Sequence, residues 1–208
     1  MPPEASHAPG GAAGLERGRV LLALAREAIA AALHLLPPAA RWPAAELEAP
    51  WLRAPGACFV TLTRQGRLRG CIGSVRARRP LVDDVRANAR AAALSDPRFP
   101  QLTAGELPDT RIEVSLLSAA APLPAASEEE ALAALRPGID GIILEVGGET
   151  HATFLPQVWE NLPSPRDFLA HLKHKAGLPP DFWSPDLRLQ RYTVTKWTEP
   201  GPPEESPG

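Results

Sequence analysis

Apolar residues recur at threes and fours along 16–36. Val20, Leu21, Leu24, Ala28, Ala31 and Leu35 fall on one side, which predicts an amphipathic helix. Pro37 and Pro38 stop it, because proline lacks an amide hydrogen and crowds the preceding turn. The period is then lost through a proline-rich stretch to Gly56, where Trp42, Leu47, Trp51 and Leu52 are the expected anchors on the core. Over 57–63 the run Ala-Cys-Phe-Val-Thr-Leu-Thr is β-branched and aromatic, which predicts a strand. Gln65-Gly66 turns the chain and 67–73 returns as a second strand. With an even-length loop centred on that dipeptide, Val60 faces Cys71 and Cys58 faces Gly73. The two cysteines then sit diagonally on one face, about 7–8 Å apart. That is wider than the roughly 5.5–6 Å a disulfide prefers, so no bridge is expected.

Pro80 opens a second helix with Leu81, Val82, Val85, Ala89 and Ala92 inward. Prolines at 97 and 100 make a rigid loop of residues 95–100. Thr103 with Glu106, and Ser127 with Glu130, have capping-box spacing. Residues 111–118 alternate, with Ile112, Val114 and Leu116 on one face and Glu113 and Ser115 on the other. Gly147-Gly148 joins strands at 142–146 and 151–155. Ser164 caps a helix that runs to Ala176, Gly177 ends it, and a last strand covers 188–197. Hairpins and helices mix without a βαβ repeat. The expected class is α+β, a largely antiparallel sheet flanked by helices. Residues 1–14 and 199–208 read as disordered tails, which leaves a single domain over 15–198.

Length and composition narrow the function. The 208 residues are 44% hydrophobic, enough for one core or two small subdomains sharing one. A net charge of −2 argues against a nucleic-acid footprint, although Arg76, Arg78 and Arg79 form a short basic run. Two cysteines are no disulfide framework, the first residues have no signal-peptide core, and Arg26, Glu27 and His34 interrupt the longest apolar stretch. A cytoplasmic protein that does not span a membrane is expected.

The candidate chemistry centres on Arg69-Gly70-Cys71-Ile72-Gly73-Ser74. A thiol needs a nearby cation and an open approach to react. In the functional reading Cys71 is a nucleophile or covalent carrier, Arg69 is its electrostatic partner, and the amides of Gly70, Gly73 and Ser74 are oxyanion donors. In the alternative Cys71 is a small core residue, flanked by glycines because helices pack closely there. Glu113 can act as acid or base and Ser115 can orient a substrate, or both lie on a solvated strand face. His151 is a candidate base, and Gln157 marks a helix start where an anion can bind. Asp96, Arg98 and Phe99 form either a structural clamp or a cleft lining. His171 and His174 share a helix face but lack completing ligands, so no metal is expected. Cys58 reads as structural. No phosphate loop, dinucleotide fingerprint or cluster-ligating cysteine set is present, and no cofactor is expected.

Taken in order, FVTLTRQGRLRGCIGS (59–74), AALSDPRFPQL (92–102), IEVSLLS (112–118), GIDGIILEVGG (138–148), ATFLPQVWE (152–160) and FLAHLKHKAGLP (168–179) resemble the AMMECR domain family, whose prokaryotic members are called AmmeMemoRadiSam system protein A. The resemblance spans about 18–198. It implies two α/β subdomains around a cleft; read from the residues, that cleft is expected to centre on 69–74 and to be completed by Glu113, Ser115 and His151. It also implies partners: relatives are often encoded beside a Memo-like protein and a radical SAM protein. Many relatives carry a second cysteine where this chain has Lys173 and His174. The resemblance implies a location for function and not a mechanism; read from the residues, the expected function is a cysteine-dependent enzyme or enzyme component in a small-molecule modification pathway. The alternatives are a non-catalytic adaptor for the same partners and, more weakly, a nucleic-acid binder.

Overall fold

The computed structural model describes residues 11–35 and 49–200. They form an α+β protein of helices and antiparallel sheets, divided into two compact units. The first takes the described residues up to Leu117 together with those from Thr195 onward; the second is Ser118–Val194. Trp42 and Leu47 lie outside the described residues.

In the first unit, helix α1 (Ala12–Ala32) buries Val20, Leu21, Leu24 and Ala28, with Ala25 and Ile29 beside them. It starts earlier than expected, because its first turns carry no periodic apolar positions. It also ends before the prolines. His34 takes a positive φ of 57°, and the amides of His34 and Leu35 bond back to Ala31 and Ala30. Ala31, expected inward, is exposed. The short helix α2 (Pro50–Arg53) buries Leu52. The two-residue strands β1 (Pro55–Gly56) and β4 (Arg79–Pro80) pair with each other. Helix α3 (Leu81–Leu94) therefore begins one residue after Pro80, which is still extended with ψ 140°. Its buried side holds all five expected apolar residues, and also Asp84 and Asn88.

Strands β2 (Cys58–Arg64), β3 (Arg67–Gly73), β5 (Thr110–Leu117) and β10 (Val194–Thr198) form a sheet in the order β10-β5-β2-β3. Gln65 and Gly66 turn the β2–β3 hairpin at φ 52° and 73°, as a two-residue turn with two left-handed positions requires. Arg64 pairs with Arg67 and Thr63 with Leu68. The register then slips by one: Leu62 pairs with Gly70, Thr61 with Cys71, Val60 with Ile72 and Phe59 with Gly73. Arg69 is the extra residue, a β-bulge.

This bulge corrects the expected pairing. Side chains alternate between faces, so a slip of one residue reverses every assignment beyond it. Cys58 joins Val60 and Leu62 in the core beneath the helices, fully buried. Cys71 shares the other face with Phe59 and Thr61. The two cysteines lie on opposite faces, not diagonally on one, and both are free thiols.

The far edge of the sheet is fastened by Glu199. Its carboxylate accepts from Arg26 Nε at 2.6 Å and Nη2 at 2.5 Å and from the Ile112 amide at 2.9 Å, while its own amide donates to Ile112 O at 3.0 Å. The ordered chain thus extends into the segment expected to be disordered.

The second unit contains β6 (Ala121–Leu123), α4 (Glu128–Ala134), β7 (Gly141–Val146), β8 (Glu149–Phe154), α5 (Pro165–Lys175) and β9 (Leu187–Tyr192), with sheet order β6-β9-β7-β8. Ser127 and Ser164 cap α4 and α5 as their spacing predicts. Phe168 stacks on Trp159 with ring centroids 3.8 Å apart, and Phe154 meets it edge-on at 5.3 Å. Lys173 is fully buried, paired with Glu128 at 3.0 Å and donating to Pro180 O at 2.9 Å.

Candidate functional site

The register set by the bulge builds a polar row on the sheet face opposite the helices. Cys71 on β3 pairs with Thr61 on β2, and Thr61 pairs with Glu113 on β5. Thr61 Oγ1 donates to Cys71 Sγ at 3.4 Å. Glu113 accepts from Ser115 Oγ at 3.4 Å and Thr198 Oγ1 at 3.2 Å, with Lys196 Nζ at 3.9 Å. Cys71, Thr61 and Glu113 are half-buried and Ser115 is buried. A thiol, hydroxyls, a carboxylate and an ammonium thus share one surface. The expected separation of Ile112, Val114 and Leu116 from Glu113 and Ser115 holds.

Cys71 is clamped by the loop that follows α3. The residues on either side of Cys71 bond across to β2, so its own main-chain groups point to the outer edge of β3. There Asp96 Oδ2 accepts from the Cys71 amide at 2.8 Å, and Arg98 Nη2 donates to the Cys71 carbonyl at 3.1 Å. Arg98 and Asp96 pair at 2.7 Å. Hydrogen bonding from Arg98 holds the Asp96 carboxyl far below the usual carboxylate range, helped by the Cys71 and Arg98 amides and opposed by burial.

Arg69 has another role. Its Nε and Nη2 each donate to Glu106 at 3.1 Å, and it also donates to Pro100 O at 2.8 Å and Gln101 O at 3.2 Å. Its side chain is 12% exposed. As the bulged residue it leaves the alternation that would have aligned it with Cys71. The sequence-based assignment of Arg69 as the cation of the thiol is corrected: Arg69 ties β3 to the 100–106 segment, and Arg98 stands at Cys71.

On the helix side a buried polar network supports the same strand. Asp84 accepts from the Cys58 amide at 3.0 Å, Ser74 Oγ at 2.6 Å, Asn88 Nδ2 at 2.9 Å and Arg79 Nε at 2.8 Å. Asn88 also donates to Cys58 O at 3.0 Å and Ser74 Oγ at 3.1 Å. Burial, followed by the charge of Asp84, pushes the Cys58 thiol far up, so it stays protonated. Sequence reasoning missed Asp84 and Asn88. The available signal was two polar residues four apart on the apolar stripe of α3.

The glycines find packing explanations. A Cβ on Gly70 would lie 2.1 Å from the main-chain oxygen of Ala92 on α3, and one on Gly73 would lie 2.3 Å from the Phe59 ring. Ile72 points with Val60 to the core. The Ser74 amide donates to Cys58 O at 3.0 Å, and Gly70 lies in a bonded ladder pair, so neither supplies the expected oxyanion donor. Of the three amides, Gly73's alone points outward from the hairpin.

His151 and Gln157 belong to the second unit. His151 is on β8, and its side chain lies outside the described residues. Gln157 is exposed on the five-residue 3-10 turn Pro156–Glu160. His171 Nδ1 lies 2.8 Å from Asp167 O. Among the described residues no group of three or more His, Cys, Asp and Glu is arranged to hold a metal, and no helix is long and apolar enough to cross a membrane.

The AMMECR1 family model matches residues 22–197. The chain belongs to the AMMECR1 family. It is 40% identical over 149 residues to a protein of Methanothermobacter thermautotrophicus, covering 69% of this chain and 75% of that protein. It is 34% identical to a protein of Methanopyrus kandleri, covering 90% and 91%. The crystal structure of the uncharacterised protein PH0010 from Pyrococcus horikoshii superposes with a TM-score of 0.72 at 34% identity, covering 90% of this chain and 95% of that one. The shared AMMECR1 fold therefore carries the Cys71 row and its clamp in this chain.

Proposed function

We propose that this AMMECR1-family chain is a cysteine-dependent enzyme, or the thiol-bearing component of one, in a small-molecule modification pathway shared with Memo-like and radical SAM proteins. The supporting observation is the bulge-set row of Cys71, Thr61 and Glu113 on the face away from the helices. A core cysteine would have been placed like Cys58. In this reading Cys71 Sγ attacks an activated carbonyl. The S–C bond forms as the bond from carbon to the leaving group breaks, and the thiol proton departs with that group, leaving a thioester on Cys71. Thr61 orients the sulfur, and Glu113 with Ser115 binds polar substrate atoms.

The test is to incubate the chain with its Memo-like and radical SAM neighbours and a metabolite extract, then map adducts by peptide mass spectrometry. The expected result is a mass increment on Cys71 that is absent in Cys71→Ser, with the fold retained by circular dichroism. Pathway turnover undiminished by Cys71→Ser overturns the reading and makes the chain a binding module for those partners.

A further inference from the structure

Arg98 is placed where a cation can act on Cys71. Its guanidinium lies 3.1 Å from the Cys71 carbonyl and is held there by Asp96 at 2.7 Å, while Asp96 fixes the Cys71 amide at 2.8 Å. The carboxylate is almost fully buried at 2% side-chain exposure, so it forms a fixed mount; the guanidinium is 54% exposed and remains open to solvent. The row on the other side of Cys71 brings the Thr61 hydroxyl to the sulfur, with Glu113 one strand further away. The remaining candidate, Arg69, is saturated by Glu106, Pro100 and Gln101.

From this geometry we infer that Asp96 and Arg98 are positioning residues for Cys71, with Arg98 supplying the positive charge that makes the thiol reactive. The inference rests on the reading of Cys71 as the reacting group. Hydrogen bonding to Asp96 is the largest effect holding Arg98 protonated, and burial opposes it.

A purely structural clamp and a charge-supplying one have opposite signatures. Breaking a structural clamp loosens β3 and speeds attack on Cys71. Removing a cation from beside a thiolate slows it.

The experiment is alkylation of the native full chain by iodoacetamide near pH 7.5, with Cys71 and Cys58 followed separately by peptide mass spectrometry. Cys58, fully buried, reports on unfolding in the same sample. Arg98→Ala should slow Cys71 labelling about fivefold, as expected for one charge lost from a partly solvated site. Arg98→Lys should recover part of the rate by restoring the charge. Asp96→Asn keeps an acceptor for the Cys71 amide but loses the ion pair that holds Arg98 in place, so it should also slow Cys71 labelling. Equal or faster labelling in Arg98→Ala, with Cys58 still protected, overturns the inference. If Arg98→Ala exposes Cys58, Asp96→Asn decides: labelling of Cys71 at or above the rate of the unaltered chain also overturns it. The underlying reading is judged separately, by whether Cys71 of the unaltered chain labels faster than a cysteine tripeptide.

Discussion

Replacing Gly70 by alanine tests whether this glycine serves helix packing or leaves room for a ligand. The new Cβ would fall 2.1 Å from the Ala92 carbonyl oxygen and 3.1 Å from its carbon. Ordinary contact begins near 3.4 Å, so α3 and β3 must separate by about 1.3 Å. The obstructing atom is helix main chain and cannot rotate aside. Val85, Ala89 and Ala92 are all buried in the same core, so moving the helix disturbs their contacts too. Overpacking of a tight core costs typically about 1–3 kcal/mol, and a main-chain clash belongs at the upper end, about 3 kcal/mol. For a chain of this size that corresponds to a melting temperature lower by about 6–12 °C. Urea unfolding followed by circular dichroism, with the denaturant slope unchanged, is the assay. A loss below about 0.5 kcal/mol would refute the packing argument and return Gly70 to the list of ligand-facing positions.

Two further outcomes follow from the polar contacts. Asp84→Ala strips partners from the Cys58 amide, Ser74, Asn88 and Arg79 together, and should cost about 3–5 kcal/mol in the same urea assay; Asp84→Asn, which keeps an acceptor, should cost less, and equal losses would contradict the network. Glu106 is lowered from 4.5 to about 2, first by hydrogen bonding from Arg69 and then by the Thr103 amide. A lowered acid stabilises the fold above its unfolded value and loses that contribution as pH falls through the folded one. The stability of the chain should therefore decline between about pH 4.5 and 2 more steeply than that of Glu106→Gln, and superimposable acid limbs would argue against this ion pair.

Most of the architecture was legible because it rests on period. The 3.6-residue stripe of α1 and α3 and the alternation in β5 state which sides are buried, and Gln65-Gly66 states where the chain must turn. The orientation of Cys71 was not legible. It depends on one extra residue in β3, and a bulge leaves no mark in the hydrophobic pattern when the displaced residue is an arginine that finds Glu106 37 positions away. The same limit hid the partner of the thiol. Arg69 is close in sequence, whereas Arg98 reaches Cys71 only because α3 returns the chain to the edge of β3. Asp84 and Asn88 were overlooked for a different reason. Polar residues inside an apolar stripe look like noise until their donors and acceptors are counted.

The clasp between Arg26 and Glu199 has a consequence for how the chain is made. It joins residues 173 apart, and the strand it fastens, β10, leaves the ribosome after the other three strands of its sheet. Strands β2, β3 and β5 can pair as soon as Leu117 has emerged, but the outer side of β5 waits until residues 118–193 have been synthesised. At ordinary elongation rates of about 5–20 residues per second that delay is about 4–15 s. During that interval the nascent chain presents an uncovered strand edge, the kind of surface on which chains associate with one another. A ribosome that stalls before residue 194 would release a polypeptide with most of its core assembled and one edge still open.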